Sequence, residues 1–384
     1  MNNFVSTIEN QIWKSVDTET RIGVLDGLSG IALLYSYLTK ITGDETYQSK
    51  LITIIDRINL LISEEEYDAS FSSGIAGYGW ILLKINNKNI AIDDEYFDTI
   101  DNILAEALTT NTADNYYDFL YGATGIAMYF IESYKVRKNK NIESVLIAFT
   151  NELLHKLDND IDLLLTNTTE DPETKCHHFG LAHGVSGILN FLVHLKASVK
   201  DLIPNIDTSV MKIIDFMSRF KNYDAESKQY YPAELLLISR HISKPRLGWC
   251  QGDLGIGNAV YNSGLFLKNK TIQNAGIELI NNTMSISVKE SRVIDFGICH
   301  GSSGLALQYY LASQKSKDDY TEAIAIWQEN SRKQTNDFVH FESFFINKYI
   351  PETNVLNGAA GMALVLLTLE NSIDTDWLEC LNLY

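Results

Sequence analysis

The string Gly-x-x-Gly recurs seven times along this 384-residue chain, with first glycines at positions 27, 74, 122, 184, 252, 301 and 358. Their spacings are 47, 48, 62, 68, 49 and 57 residues, so a unit of nearly constant length repeats, with two long copies in the middle. One such string means little. Seven near-regular copies mark a repeat architecture, in which each unit buries its apolar face against its neighbours.

Each glycine pair is followed by an apolar run that reads as a buried helix, as in Ile31-Ala32-Leu33-Leu34-Tyr35, Ile126-Ala127-Met128-Tyr129-Phe130, Ile188 to Leu192 and Met362 to Leu367. Each is preceded by an amphipathic segment, as in Leu51 to Ile62, Ile142 to Leu157, Val210 to Phe220 and Tyr320 to Gln328. Strand signals are nearly absent. The expected fold is therefore all-α: an (α/α)7 double-layered toroid with seven inner and seven outer helices and the glycine turns gathered at one end. It is read as one domain over 1–384, with insertions at 158–182 and 222–248 that are candidates for a substrate rim. An open solenoid uses the same unit, but neither terminus carries an obviously polar capping repeat, which favours closure. Glycine is expected where inner-helix starts crowd together, for close backbone approach and unusual dihedrals.

With 45% hydrophobic residues and five prolines, the chain can bury a large core. A formal charge of −18 argues against unaided binding to nucleic acid or an anionic membrane, and fits a cationic partner or an ordinary acidic surface. Met1 to Trp13 carries Glu9 and no long apolar run, so it does not read as a signal peptide. No apolar stretch reaches the ~18 residues of a membrane span. Four cysteines without a CxxC pair suit a reducing compartment, hence a cytoplasmic location with thiols free or metal-bound.

If the turns converge, the residues before each first glycine share one mouth: Asp26, Ser73, Tyr121, His183, Gln251, His300 and Asn357. Cys250 and Cys299 each lie two residues before a first glycine, 49 positions apart, and His300 follows directly. Equivalent positions in adjacent units lie side by side, so Cys250, Cys299 and His300 could hold one zinc ion. Three protein ligands leave a position open, as catalytic zinc does. The plainer alternative is two small buried cysteines and a hydrogen-bonded core histidine. His183 sits at the offset of His300, as a fourth ligand, a general acid/base or a structural residue. Asp118 could orient a histidine or shuttle a proton, although helix capping is its simpler role. Arg246 is an anion-stabilising candidate or a solvated loop cation. Cys176, His177 and His178 form a second cluster, but inside an insertion rather than at a turn offset, which makes a metal there the weaker reading. Cys380 has no partner signal.

Four strings together resemble the lanthionine synthetase C family: Tyr117-Asp118-Phe119-Leu120-Tyr121-Gly122-Ala123-Thr124-Gly125, Gly180-Leu181-Ala182-His183-Gly184, Gly248-Trp249-Cys250-Gln251-Gly252-Asp253 and Cys299-His300-Gly301-Ser302-Ser303-Gly304. They span most of the chain in the family's order. The resemblance implies a toroid with catalytic zinc on Cys250, Cys299 and His300, Asp118 and His183 as a proton-handling pair, and Arg246 as a basic active-site residue. It implies a cyclase that adds peptide cysteine thiols to dehydroalanine or dehydrobutyrine in a dehydrated precursor peptide, giving lanthionine or methyllanthionine rings. Gln251 departs from an often aromatic or histidine neighbour, which touches no ligand. The regular early spacings leave no room for an inserted peptide-handling domain, so the leader's binding mode stays open. A separate dehydratase, and an associated transporter, are the expected partners. Rival readings are a protein that binds or adds a small thiol of glutathione type at the same zinc, and a non-catalytic scaffold in a modification complex.

Overall fold

The computed structural model describes residues 3–86, 90–167, 171–222, 227–335, 340–345 and 347–384. Residues 168–170 and 223–226, within the two expected insertions, lie outside that set.

Seven inner helices follow the seven glycine turns: Leu28–Thr42, Ile75–Ile85, Ala123–Arg137, Val185–Ser198, Asp253–Phe266, Ser302–Lys315 and Ala359–Leu369. Each packs against the next in chain order, and Ala359–Leu369 packs against Leu28–Thr42, so the ring is closed. The outer layer is Asn3–Ser15, Glu45–Glu64, Asp94–Ala113, Lys140–Asn159, Asp207–Ser218, Lys270–Thr283 and Thr321–Lys333. The structure is the α/α toroid that the repeats predict.

Burial separates the two layers. In Ala359–Leu369 every residue from Ala359 to Thr368 is buried, as befits a helix enclosed on all sides. In Glu45–Glu64 only Leu51, Ile54, Ile58 and Leu61 are buried, one stripe at helical spacing with solvent on the far side.

The hairpin connectivity differs from the expected unit in one respect. Most outer helices pack against the inner helix that precedes them, across a short turn, and Asn3–Ser15 packs against the last inner helix, Ala359–Leu369. The long loops therefore run from each outer helix to the next glycine turn, and the first helix of the chain closes the outer layer.

The reason for the glycine pairs is visible at the inner-helix starts. Helix-initial N–H groups have no partner within the helix. Here the incoming loop folds back and supplies carbonyls at a constant separation of seven residues. Leu28 N donates to Arg21 O, Ile75 N to Asp68 O, Ala123 N to Tyr116 O, Ser302 N to Asp295 O and Ala359 N to Glu352 O, all at 2.8 to 3.1 Å. The loop lies so close that a Cβ on the second glycine would strike a carbonyl, that of Ile298 for Gly304 and that of Val355 for Gly361. Close approach is thus the requirement at these turns, whereas unusual dihedrals are not. Of the seven first glycines only Gly252 has a positive φ, 102°; the others are extended, as at Gly301 with φ −113°.

Strands occur despite the weak signal. The two insertions pair with each other: Cys176–His178 lies antiparallel to Glu234–Leu236, which pairs in turn with Ile242–Ser243. Glu342–Phe345 and Lys348–Pro351 form a hairpin. Strands of two to four residues are too short to show a period of two in sequence. Among the described residues no helix is long and apolar enough to cross a membrane.

Replacing Gly361 by Ala should lower unfolding stability by about 1–3 kcal/mol, the usual cost of overpacking a close contact. Urea unfolding followed by circular dichroism reads this directly, and an unchanged midpoint would contradict the turn geometry.

Candidate active site

Successive turns are tied together by their backbones at the mouth of the ring. Leu25 N donates to Ser72 O at 3.1 Å, Ser72 N to Leu120 O at 2.9 Å and Ala182 N to Cys250 O at 3.4 Å. Trp249 N and Cys250 N both donate to Cys299 O, at 2.9 and 3.0 Å, while Ile298 N and Cys299 N both donate to Leu356 O at 2.9 Å. Leu356 N closes the circle on Leu25 O at 2.8 Å. These contacts set the register between turns, and Gly180 permits one of them, since a Cβ there would collide with Cys250 O.

That register brings the predicted ligands together. One ligand atom each from Cys250, Cys299 and His300 lies within 4.8 Å of the others, and all four cysteines of the chain are free thiols. His300 Nε2 donates to Asp295 Oδ2 at 3.2 Å, the carboxylate support that commonly orients a metal-binding imidazole. Asp295 is almost wholly buried and also accepts from Gly297 N at 3.0 Å. Burial opposes protonation of His300, but the Asp295 hydrogen bond and the Cys250 sulfur outweigh it and raise the imidazole pKa to about 9. The hydrogen bond from Cys299, with His300, holds Cys250 well below the usual thiol range, and the Cys250 sulfur pushes Cys299 well above it. Two soft sulfurs and an imidazole, with one sulfur readily deprotonated, suit a zinc-class ion.

One junction lacks a backbone link among the described residues, that between the turns of Gly122 and Gly184. A side-chain pair spans it. His183 Nδ1 donates to Asp118 Oδ2 at 2.6 Å, and Asp118 Oδ1 accepts from Leu120 N and Tyr121 N at 2.8 Å each. Asp118 thus orients a histidine and organises its own turn, but it does not cap the helix, whose N-cap Gly122 carries no side-chain hydrogen bond. Burial lowers the His183 pKa, but the bond to Asp118, its charge and that of Cys250 prevail, and the pKa lies above the ordinary imidazole value. The pair borders a cavity of about 160 Å³ whose wall includes Tyr116, Thr166, Asn167 and His178.

Arg246 lies close enough to Cys299 for its charge to favour the thiolate, and its Nε is buried without a hydrogen-bond partner. Gln251 enters neither cluster. The second sequence cluster is divided. His177 turns away, with its Nδ1 3.1 Å from Leu165 O and its ring edge-on to Phe216, whereas Cys176 and His178 meet Glu234.

The sequence reading set Tyr121 at the mouth without a role there, and two further neighbours, Glu234 and Asp295, escaped it. Tyr121 stacks on His183 with ring centroids 6.0 Å apart, and burial and the charges of Asp26 and Asp118 raise its phenol pKa. Glu234 comes from the other insertion, 56 residues beyond His178, and carries no local signal. Asp295 did carry one. It lies six residues before a first glycine, as do Arg246, His178 and Glu352, so a second polar offset runs round the ring.

The arrangement defines a class: an α/α toroid with a thiol-rich set of side chains able to hold a metal ion, beside an ion-paired histidine at the mouth. The family model of lanthionine synthetase C-like proteins matches residues 18–382, and the chain belongs to that family, which places it among the lanthionine synthetase C-like enzymes. Among solved structures it is similar to nisin cyclase, with a TM-score of 0.79 and 21% identity over 98% of this chain and 96% of that one. Comparison with curated proteins gives no match.

Replacing Asp118 by Asn removes the charge and the carboxylate hydrogen bond that do most to raise the His183 pKa, and leaves the burial that lowers it. The imidazole should therefore titrate at a lower pH in the variant than in the parent, as read by NMR of the ring protons. Because the folded pKa is raised, the pair's stabilisation is present below pH 6.5 and fades as pH rises through the folded value. Identical titration of the two proteins would contradict the pairing.

Proposed function

We propose that this protein is a zinc-dependent lanthionine cyclase, acting in the cytoplasm as a single toroidal unit on a precursor peptide whose serines and threonines have been dehydrated. The reaction joins a peptide cysteine sulfur to the β-carbon of dehydroalanine or dehydrobutyrine and ends with a proton on the α-carbon. The observation that carries this reading is the meeting of Cys250, Cys299 and His300 within 4.8 Å at the same mouth as the 2.6 Å His183–Asp118 pair, in a chain of this family.

Cys250, Cys299 and His300 would hold the zinc, and Asp295 orients His300. Zinc so bound would supply a Lewis-acid position for the substrate thiol, which favours its thiolate near neutral pH. Asp118 accepts a hydrogen bond from His183 Nδ1 and so leaves Nε2 for exchange with substrate. A raised His183 pKa favours the protonated imidazole, the form able to donate a proton to the α-carbon. Arg246 has an unpartnered Nε–H and a fixed positive charge by Cys299, and it steadies the negative charge that accumulates on the adjoining carbonyl oxygen. Tyr121 stacks on His183 and limits its tilt. Forming the dehydro residues is a separate reaction, so a dehydratase must act first, and a transporter would take the product onward.

Two variants separate binding from chemistry. Cys299→Ala should lose the one equivalent of zinc held by Cys250, Cys299 and His300. His183→Ala should keep it while ring formation, followed by alkylation of residual peptide thiols and mass spectrometry, slows by about 10²–10⁴-fold. Full-rate cyclisation by His183→Ala would sink this reading.

A further inference from the structure

The two insertions carry a polar cluster that the cyclase chemistry does not use. Side chains two apart on a strand share a face, as do residues directly opposite on a paired strand. Cys176 and His178 are two apart on one strand, and His178 lies opposite Glu234 on its antiparallel partner. The register therefore sets a thiol, an imidazole and a carboxylate on one face of the small sheet and sends His177 to the other.

The distances are those of a ligand set. Cys176 Sγ is 3.3 Å from His178 Nε2 and 4.0 Å from Glu234 Oε2. A tetrahedral zinc with Zn–S about 2.3 Å and Zn–N or Zn–O about 2.0 Å separates its ligand atoms by roughly 3.5 Å. Ser243 Oγ donates to Glu234 Oε1 at 2.6 Å, which fixes that carboxylate from the third strand. Cys176 is buried, while the side chains of His178 and Glu234 remain 32% and 35% exposed, so an ion can reach the set from solvent. His178 also faces the cavity beside the His183–Asp118 pair, with its ring centroid 6.5 Å from that of His183.

The geometry points to a second metal site, in which Cys176, His178 and Glu234 bind one zinc-class divalent cation and so clamp the two insertions together beside the active-site cavity. Binding displaces the thiol proton of Cys176 to solvent. Burial and the Glu234 charge raise the pKa of that thiol to about 11, so the free thiol is not a nucleophile at neutral pH, and the metal supplies the charge that lets Glu234 and a thiolate sit together. His178, five residues before His183, then becomes a fixed part of the cavity wall.

The test uses the full chain, stripped by chelation and titrated with Zn(II) against a colorimetric chelator. The parent should bind two equivalents. Cys176→Ser and Glu234→Gln should each bind one, or bind the second at least tenfold more weakly, with unchanged circular dichroism. His178→Gln keeps the test available if Cys176→Ser fails to fold. Cys299→Ala should retain one equivalent, and that ion should disappear in Cys299→Ala/Cys176→Ser, so failure of the first site is distinguishable from failure of this one. Saturation of the parent at one equivalent, or second-ion affinity untouched by all three substitutions, overturns the site.

Discussion

The organisation of the mouth rests on carbonyls shared between neighbouring turns. Cys299 O accepts from both Trp249 N and Cys250 N, and Leu356 O accepts from both Ile298 N and Cys299 N. Each bond contributes only about 1 kcal/mol net, but a buried donor left unpaired costs about 1–3 kcal/mol, so a register slip between turns is heavily disfavoured. Registration is what makes repeated sequence positions into spatial neighbours. Cys250 and Cys299 meet because their backbones are joined at the same offset, and the clustering of two thiols with His300 follows from the ring rather than from a separate device.

The last link of that chain returns to its beginning, since Leu356 N reaches Leu25 O. Side chains reinforce the same seam: Arg21 pairs with Glu352 at 2.6 Å and with Glu19, and Ser15 Oγ donates to Thr353 Oγ1 at 3.1 Å. Six junctions are thus backbone-bonded, and the seventh is held by His183 and Asp118. Cys250, Cys299 and His300 lie on the bonded side, where positions are set by main chain. The His183–Asp118 pair lies at the junction without such a bond, next to the cavity that it borders.

Much of this was legible in the sequence because repetition converts spacing into geometry. Glycine pairs marked the inner-helix starts, and one shared offset paired Cys250 with Cys299. Contacts without a repeat signal were hidden. Asp118 and His183 stand at different offsets from their glycines, so nothing local says that they touch. Glu234 meets His178 only because two insertions of unrelated sequence form a sheet. Asp295 lay between these cases, since its offset was repeated but polar residues six before a glycine look like ordinary loop residues until the loop is seen folded over the helix start. Unusual dihedrals, expected at the glycine turns, are confined to Gly252, because steric approach of the loop already accounts for the rest.

The central claim is that ring closure assembles a two-sulfur, one-nitrogen metal centre from adjacent turns. X-ray absorption at the zinc edge, on the Cys176→Ser protein loaded with one equivalent, tests it most directly. The account predicts two sulfurs at about 2.3 Å with the remaining shell nitrogen or oxygen at about 2.0 Å. A shell with no sulfur, or with only one, would contradict it.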